Sequence, residues 1–366
     1  MPSARLHLHP LPTISVIVPV HNRLAELEEC LESLQSWRPE GCELILVDDA
    51  STEDVSKVAE RYGALYFRTQ RQEGPASARN LGAHYASGDI LVFVDADVVV
   101  SAETFGIIRG EFHQHPDLAA LFGSYDDEPR YTDFFSSFKN LLHHHVHQAS
   151  RSEAVTFWSG CGAIRKRAFE SVGGFNAAQY PTPSIEDIEL GIRLVQQGER
   201  VRLIKGLQVK HLKKWTLGSL VRTDVFQRAI PWTQLILQTG RMPQDLNLTW
   251  ASRLSAALVA AIAAVTLDLA AKAHGLSRWS LRDLAAIFLF ASILLVLNLD
   301  LYRLFWRKRG VRFTVRAIGI HWAYFLYSGA AFLFCCMAGP FRAPVRPPTA
   351  SLDLNVLAKT RVNKRP

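Results

Sequence analysis

The sequence predicts an α/β domain with a parallel sheet, followed by a helical membrane region. Strand and helix signals alternate through the first 100 residues, and long apolar stretches fill the C-terminal third. Basic residues exceed acidic ones by 12 in residues 251–366, whereas acidic residues are in excess by 5 in residues 1–250. The basic character therefore belongs to the apolar third, which fits basic flanks of membrane helices better than a surface for nucleic acid.

Short β-branched runs alternate with amphipathic segments from residue 14 onward. In the first of these segments, "LAELEECLESLQSW", leucines recur every three or four residues and glutamates lie between them, a spacing that predicts an amphipathic helix. Strands joined by helices pair in parallel, with helices on both faces of the sheet. We therefore predict strands at 14–22, 42–51, 64–69 and 88–100, and helices at 24–37, 52–63 and 74–88.

Polar side chains follow three of these predicted strands at the point where each strand ends. They are Asn22 after the first, Asp48 and Asp49 after the second, and Asp95 and Asp97 after the fourth. Ligands of parallel sheets bind outside the carboxyl ends of the strands, so we expect these side chains to line one crevice. The alternative is ordinary turn chemistry, because turns favour aspartate.

Two carboxylates separated by one residue suit a hard divalent cation. Mg²⁺ or Mn²⁺ prefers oxygen ligands and completes its coordination with phosphate and water. Such a metal neutralises charge on a leaving nucleoside diphosphate, and Asp48 or Asp49 would then accept hydrogen bonds from base and ribose. The sequence has neither a GxxxxGK[ST] pattern nor a GxGxxG pattern after the first strand, which disfavours P-loop and dinucleotide chemistry.

Three segments, "SVIVPVHN", "ILVDDAS" and "GPASARNLGAHYASGDILVFVDADV", together resemble the nucleotide-binding half of inverting family 2 glycosyltransferases. The resemblance covers residues 13 to about 215 and implies a GT-A fold, which is Rossmann-like. It implies that Asp95-Ala96-Asp97 is the DxD element, with Asp97 as direct metal ligand. It also implies a donor-binding set of Pro19, Asn22, Asp48, Asp49, Arg79, Asn80 and Asp95.

The second half of the resembling region supplies the acceptor side and a base. "FWSGCGAIRKRAFESVGGFN" is similar to the family's acceptor-side strand and helix, which implies acceptor-side roles for Trp158 and Gly160. In "PSIEDIELGIRLVQQG", Ser184 is the predicted N-cap of a helix with Asp187 in the capping-box position. The resemblance makes Asp187 the catalytic base, with Glu186 beside it. A purely structural capping role for Asp187 is the alternative.

Two further residues are candidates for the site. His211 ends a strand-like run, and the resemblance favours a role as metal or diphosphate ligand alongside Asp97 and Asp95; a polar strand terminus is the alternative. "QRAIPW" is distantly similar to the QxxRW element of processive synthases, although the spacing departs from it. We expect Arg228 to contact the donor diphosphate, and processivity stays open.

The C-terminal third contains three apolar stretches close to the roughly 20 residues that a spanning helix needs. Basic residues between the second and third stretches predict a cytoplasmic loop, and hence a cytoplasmic catalytic domain. The basic tail then falls outside, so a re-entrant third segment stays open. The predicted domains are an extension (1–12), the GT-A domain (13–215), an interfacial amphipathic segment (216–250), a transmembrane region (251–340, with helices near 254–271, 285–301 and 317–339) and a basic tail (341–366).

These observations together predict a multi-pass, membrane-bound inverting glycosyltransferase of the cell envelope, in an inner or plasma membrane. Its partners would be a nucleoside-diphosphate sugar, Mg²⁺ or Mn²⁺, and a lipid or glycolipid acceptor, with no nucleic acid. One alternative is a subunit of a processive polysaccharide synthase. The other is a non-catalytic membrane partner that binds a nucleotide sugar.

Overall fold

The computed structural model describes residues 12–240, 242, 245–272 and 281–338. The predicted basic tail and almost all of the predicted N-terminal extension lie outside these residues. The chain forms two compact units. The first contains the described residues up to Ser124 and Ser152–Leu212, and the second contains Tyr125–Arg151 and the described part of Lys213–Val345. The structure thus groups residues 125–151 with the C-terminal helices, whereas the sequence analysis placed them in the GT-A domain.

The strands of the described chain are short, apart from the last. They are β1 (Ile14–Val20), β2 (Glu43–Asp48), β3 (Leu65–Arg68), β4 (Ile90–Val94), β5 (Val98–Val99), β6 (Leu118–Tyr125), β7 (Glu153–Ala154), β8 (Cys161–Arg165) and β9 (Arg200–His211). The helices are α1 (Leu24–Trp37), α2 (Val55–Arg61), α3 (Pro75–Tyr85), α4 (Thr104–Gln114), α5 (Phe134–Ala149), α6 (Lys166–Ser171), α7 (Glu186–Gln196), α8 (Leu217–Arg222), α9 (Ile230–Thr239), α10 (Trp250–Ala271), α11 (Leu281–Leu297) and α12 (Leu299–Met337).

The sheet has the strand order β3-β2-β1-β4-β8-β6-β9-β5, and β7 pairs with β9. The first four strands in that order run parallel, which confirms the α/β fold predicted from their alternation with helices. Beyond these strands, β8 pairs antiparallel with β4 and β6, and β9 pairs antiparallel with β5 and β7. In the parallel part, Val20 is opposite Asp48 and Ile17 is opposite Phe93, so the ends of β1, β2 and β4 meet at one edge.

Helix α3 packs unusually close to this sheet because its inner face is made of small residues. Ile17, Ile45 and Phe93 are fully buried beneath it. A methyl group added to Gly82 would lie 2.5 Å from Ile17 Cγ2 and 3.2 Å from Val47 Cγ2. This close approach places the first turns of α3 beside the ends of the strands.

The second unit is helical, and helix α12 does not form a single rod. Gly310 has φ 79° and ψ 176°, a conformation that favours glycine and breaks the helical path. The chain reverses direction at Gly310, and the segments before and after it pack together. The Tyr302 hydroxyl lies 3.1 Å from His321 Nδ1, and the centres of the Phe305 and Phe313 rings are 5.6 Å apart. Leu299–Met337 is therefore a helical hairpin with its turn at Gly310.

Within the described residues, Trp250–Ala271 and the hairpin Leu299–Met337 each contain a helical stretch that is long and apolar enough to cross a membrane. The sequence analysis predicted three spans. The stretch predicted at 285–301 forms the shorter helix α11, which ends at Leu297, and the chain leaves helical geometry at Asn298 before α12 begins.

Two helical glycines test how tightly the first unit is packed. A methyl group at Gly191 in α7 would lie 2.6 Å from Thr156 Cα, whereas one at Gly106 in α4 meets nothing within 4 Å. We expect Gly191→Ala to lower the free energy of unfolding by about 1–3 kcal/mol. Gly106→Ala should raise it by about 0.5–1 kcal/mol. Denaturant unfolding followed by circular dichroism measures both, and equal effects would contradict the packing of α7.

Candidate active site

The acid pair that ends β2 is held within the first unit by several hydrogen bonds. Asp48 is fully buried and accepts from the Ser51 N–H at 2.8 Å, the Tyr66 hydroxyl at 2.7 Å and the Arg68 guanidinium at 2.5 Å. The structure therefore places Asp48 inside the fold, where it orders the turn after β2. It does not place Asp48 at the crevice with the nucleotide, as the sequence analysis expected, because its oxygens are already paired below the surface.

Asp49, the next residue, holds the segment that leads into α3. Its carboxylate accepts from the N–H groups of Glu73 and Gly74, both at 2.8 Å, and from the Thr69 hydroxyl at 3.1 Å. Gly74 has a φ of 88°, a positive value that favours glycine. A carboxylate has about four acceptor positions, so these three hydrogen bonds leave room for one more donor.

The turn after β1 is strained in a way that the sequence did not reveal. Asn22 and Arg23 both adopt left-handed backbone conformations, with φ values of 60° and 63°. The Asn22 side chain accepts from the Thr52 N–H at 2.8 Å, which ties this turn to the turn after β2. Left-handed non-glycine residues concentrate at functional sites. Pro19, by contrast, lies within β1 opposite Val47 rather than at the strand end.

Arg79 on α3 joins the end of β4 to the start of α7. The side chain is 4% exposed and donates to Asp95 Oδ1 at 2.7 Å and to Glu186 Oε1 at 2.9 Å. Burial alone would lower the pKa of Arg79, but Asp95 and Glu186 more than offset this and hold it above its ordinary value. The cation also lies 5.5 Å from the centre of the Phe175 ring. Arg79 therefore positions two acids that are 91 residues apart in sequence.

Asn80, for which a donor contact is predicted, holds a loop in place. Its amide donates to the Phe175 carbonyl at 2.8 Å and accepts from the Phe175 N–H at 2.9 Å. Gly173 and Gly174 precede Phe175 with φ values of 77° and 70°, and a methyl group at Gly174 would lie 2.7 Å from Asn80 Oδ1. The "GGF" sequence thus forms a tight turn that Asn80 closes.

The two acids at the start of α7 differ in their partners. Glu186 is buried and accepts from Arg79 and, at 2.9 Å, from the Ser184 N–H. Asp187 instead accepts from the Ser159 N–H at 3.1 Å and from the Ser159 hydroxyl at 3.2 Å. It also accepts from the N–H of the next residue, Ile188, at 2.8 Å. The predicted Ser184 cap is wrong: the helix begins at Glu186, its N-cap is Ile185, and that cap makes no side-chain hydrogen bond.

Asp187 has the electrostatic environment of a proton acceptor. Burial and the adjacent Glu186 charge raise its pKa to about 6, against the opposing effects of the Ser159 N–H and the Arg79 cation. At neutral pH the carboxylate is therefore ionised but basic enough to accept a proton. The sequence analysis missed Ser159, although this residue lies between the two predicted acceptor-side residues, Trp158 and Gly160.

Trp158 and Gly160 lie next to the DxD segment. The Gly160 carbonyl accepts from the Asp95 N–H at 3.2 Å. A methyl group at Gly160 would lie 2.9 Å from the Trp158 indole nitrogen, so this position requires glycine for a close approach. The strand end that carries Asp95 and the segment that carries Ser159 are therefore in direct contact.

The remaining carboxylate, Asp97, fits a metal-binding role by its donor chemistry. Its Oδ2 lies 3.7 Å from His211 Nε2 and 3.2 Å from the Arg23 guanidinium, which holds a positive charge beside this oxygen. Within the described residues no group of three acidic, His or Cys side chains is already arranged as metal ligands. Oxygen donors from Asp95 and Asp97 with one imidazole suit Mg²⁺ or Mn²⁺, and Arg23 is exposed enough to move away from Asp97.

Residues 15–173 match the model of glycosyl transferase family 2. The matched region contains the strand-end acids, Arg79, the DxD segment and Ser159, whereas Glu186, Asp187 and His211 lie after it in the chain.

Curated relatives named as glycosyltransferases match parts of the chain. An uncharacterized glycosyltransferase of Haemophilus influenzae is 29% identical over 192 residues, which are 50% of this chain and 62% of that protein. Cellulose synthase 1 of Komagataeibacter xylinus is 24% identical over 281 residues, 66% of this chain and 18% of that protein. The chain spans between 13% and 62% of the length of the curated relatives it matches.

A solved structure supports the GT-A fold of the glycosyltransferase domain. It is the mannosyltransferase PcManGT from Pyrobaculum calidifontis in complex with GDP-Man and Mn²⁺. The similarity has a TM-score of 0.58 at 20% identity, and it covers 88% of this chain and 87% of that one.

Arg228 lies outside the glycosyltransferase domain, in the second unit. It belongs to a π-helix that spans Thr223–Ala229. The predicted contact between Arg228 and the donor diphosphate stays a prediction.

The buried Arg79 bridge gives a first test of the site. We expect Arg79→Met to lower the free energy of unfolding by about 3–5 kcal/mol, since it leaves Asp95 and Glu186 without their cation. Arg61→Met is the matched control, because Arg61 forms an exposed pair with Glu28 that contributes about 0–1 kcal/mol. Denaturant unfolding of the two variants measures the difference. Similar losses would show that the Arg79 bridge does not hold the site together.

Proposed function

We propose that the protein is an inverting glycosyltransferase that works at a membrane surface. It transfers a sugar from a nucleoside-diphosphate sugar to a hydroxyl or phosphate of a lipid-linked or membrane-proximal acceptor. The observation that carries this proposal is the difference between the two acids of α7: Glu186 accepts a hydrogen bond from Arg79, while Asp187 has no cationic partner of its own among the described residues and has a raised pKa. Only one acid is then placed to act as a base.

Asp187 accepts the proton of the acceptor group in this mechanism. Its Oδ2 is held by the N–H and hydroxyl of Ser159, which fix the direction of the carboxylate toward the acceptor side. A single direct displacement by the activated acceptor inverts the anomeric carbon. General-base assistance of this kind contributes about 10²–10⁴-fold to the rate.

Asp97, Asp95 and His211 would hold the divalent cation, and Asp49 and Arg228 are the proposed contacts to the nucleotide. When bound, the cation neutralises charge on the leaving diphosphate. The structurally similar mannosyltransferase was solved with GDP-Man and Mn²⁺, which supports this assignment of donor and metal. Asp95 is oriented for this role by the hydrogen bond that it accepts from Arg79.

The membrane part of the proposal rests on the two long apolar helices and on the charge distribution. The exposed basic residues at the Gly310 turn, among them Arg307 and Arg312, fit the cytoplasmic side of a membrane. We propose on this basis a cytoplasmic catalytic domain, with residues 216–250 at the interface.

A second candidate function is processive polysaccharide synthesis, favoured by the match to cellulose synthase 1 over 281 residues. The two candidates differ in their products. Incubation with radiolabelled donor and membrane lipid gives a single added sugar for the first function and a ladder of chain lengths for the second.

The pH dependence tests the assignment of Asp187. We expect nucleoside diphosphate release from UDP- and GDP-sugars, with lipid extract, to fall as pH drops through about 6, because protonated Asp187 cannot act as a base. Asp187→Asn should lower the rate at pH 7.5 by about 10²-fold or more and remove this dependence. An unchanged pH profile in the variant would assign the base to another residue.

A binding measurement tests the metal site independently of turnover. We expect Asp97→Asn to weaken Mn²⁺-dependent binding of UDP or GDP by at least about tenfold, because a carboxylate ligand is lost. Isothermal titration calorimetry with and without Mn²⁺ measures this effect. Asp117→Asn is the control, since Asp117 is an exposed carboxylate paired with Arg200. Equal Mn²⁺ dependence in wild type and Asp97→Asn would contradict the metal assignment.

A further inference from the structure

The two carboxylates of the DxD segment each pair with an arginine, and the two arginines differ in burial. The Arg79 side chain, which pairs with Asp95, is 5% exposed and is also held by Glu186. The Arg23 side chain is 48% exposed, and its guanidinium lies 3.2 Å from Asp97 Oδ2. Breaking a buried pair leaves an uncompensated charge, whereas breaking an exposed pair costs little. Arg79 is therefore a permanent partner of the segment, and Arg23 is an exchangeable one.

The backbone that carries Arg23 is held in place although its side chain is exposed. The Asn22 N–H donates to the Ser51 hydroxyl at 2.7 Å, and the Asn22 side chain accepts from the Thr52 N–H and hydroxyl at 2.8 and 3.0 Å. The Arg23 carbonyl accepts from the Leu27 N–H at 3.0 Å, which begins α1. Arg23 is the N-cap of this helix, but its side chain makes no capping hydrogen bond. The guanidinium is thus the part of Arg23 that is able to move.

Asp97 is held from the other side by the last strand of the sheet. Its carbonyl accepts from the Leu212 N–H at 2.8 Å, and the next residue, Val98, is opposite His211. His211 is 7% exposed, and its Nε2 lies 3.7 Å from the same Oδ2 atom that Arg23 contacts. This oxygen therefore lies between a buried imidazole, fixed by the sheet, and an exposed guanidinium.

A guanidinium and a divalent cation compete for an oxygen in this position. Like charges a few ångströms apart repel each other strongly where water does not screen them. A divalent cation on Asp97 and the Arg23 guanidinium at its present position therefore exclude each other. Because the Arg23 pair is exposed, the guanidinium leaves Asp97 at small cost.

A metal that arrives with a nucleoside diphosphate meets a different balance of charge. The diphosphate carries more negative charge than one divalent cation neutralises, so the complex as a whole is anionic. A guanidinium repels the free metal ion but attracts phosphate oxygens, with which it forms strong charge-assisted hydrogen bonds. The same arginine thus opposes the binding of one species and not of the other.

We propose that Arg23 is a placeholder cation, which occupies Asp97 Oδ2 until a metal–nucleotide complex displaces it. The inference rests on the proposed function, because it takes Asp97 as the metal ligand. Arg23 acts on the metal through Asp97 and is therefore a positioning residue. It makes the site select a metal bound to a nucleoside diphosphate over the free metal ion.

The first test is binding of Mn²⁺ alone to the full chain in uncharged detergent, measured from the electron paramagnetic resonance signal of unbound Mn²⁺. We expect Arg23→Gln to tighten Mn²⁺ binding about two- to fivefold, the range that loss of one exposed ion pair allows. Arg61→Gln is the matched control: it removes the same charge from an exposed pair with Glu28 and should leave Mn²⁺ binding unchanged. Unchanged or weaker Mn²⁺ binding in Arg23→Gln would overturn the proposal.

A double variant shows whether Arg23 acts through Asp97. Two residues that contact each other give non-additive effects. Arg23→Gln should therefore no longer tighten Mn²⁺ binding when Asp97→Asn is already present. Equal tightening in both backgrounds would assign the effect to the general charge of the surface and would overturn the placeholder role.

Titration with UDP or GDP in saturating Mn²⁺ tests the selection, with calorimetry as the measurement. Arg23→Gln should not tighten the binding of the nucleotide complex, since this complex is anionic. A gain as large as that for free Mn²⁺ would overturn the selection. The proposed function fails in a different way. Mn²⁺ binding that Asp97→Asn leaves intact contradicts the metal site, whereas Asp97-dependent binding that Arg23→Gln leaves unchanged contradicts the placeholder role alone.

Discussion

The buried guanidinium of Arg79 is the interaction on which the arrangement of the catalytic domain depends. A cation with so little contact with water is tolerated only where carboxylates pair with it, and both of its partners come from other elements. Asp95 comes from the end of β4 and Glu186 from the start of α7. The small face of α3, with Gly82 against Ile17, brings Arg79 close enough to the sheet to reach both.

This one constraint assigns different tasks to acids that look alike in the sequence. Glu186 balances Arg79 and so belongs to the framework, which leaves Asp187 as the acid with basic character. Asp48 orders the turn after β2 beneath the surface, and Asp49 holds the entrance to α3. Asp97 lies beside Arg23 and His211, and it is the acid that we propose as the metal ligand.

The helical unit also contains a buried cation that is paired with a carboxylate, because Lys139 donates to Asp224. In this unit the positive charge of Arg228 lowers the pKa of Lys139. In the catalytic domain one cation, Arg79, pairs with two carboxylates, which leaves one negative charge in excess. The charge of Glu186 accordingly raises the pKa of the neighbouring Asp187.

Alternating strand and helix signals were enough to predict the parallel half of the sheet, from β1 to β4. Such patterns depend on burial and local geometry, so they predicted both ends of α1 correctly, but they do not identify long-range partners. Three features became visible only in the folded chain: Glu186 rather than Ser184 organises the start of α7, Asn80 closes the Phe175 turn, and the chain reverses at Gly310. Each depends on contacts between distant residues or on one backbone angle, because a hydrogen bond across 107 positions leaves no periodic signal in the sequence.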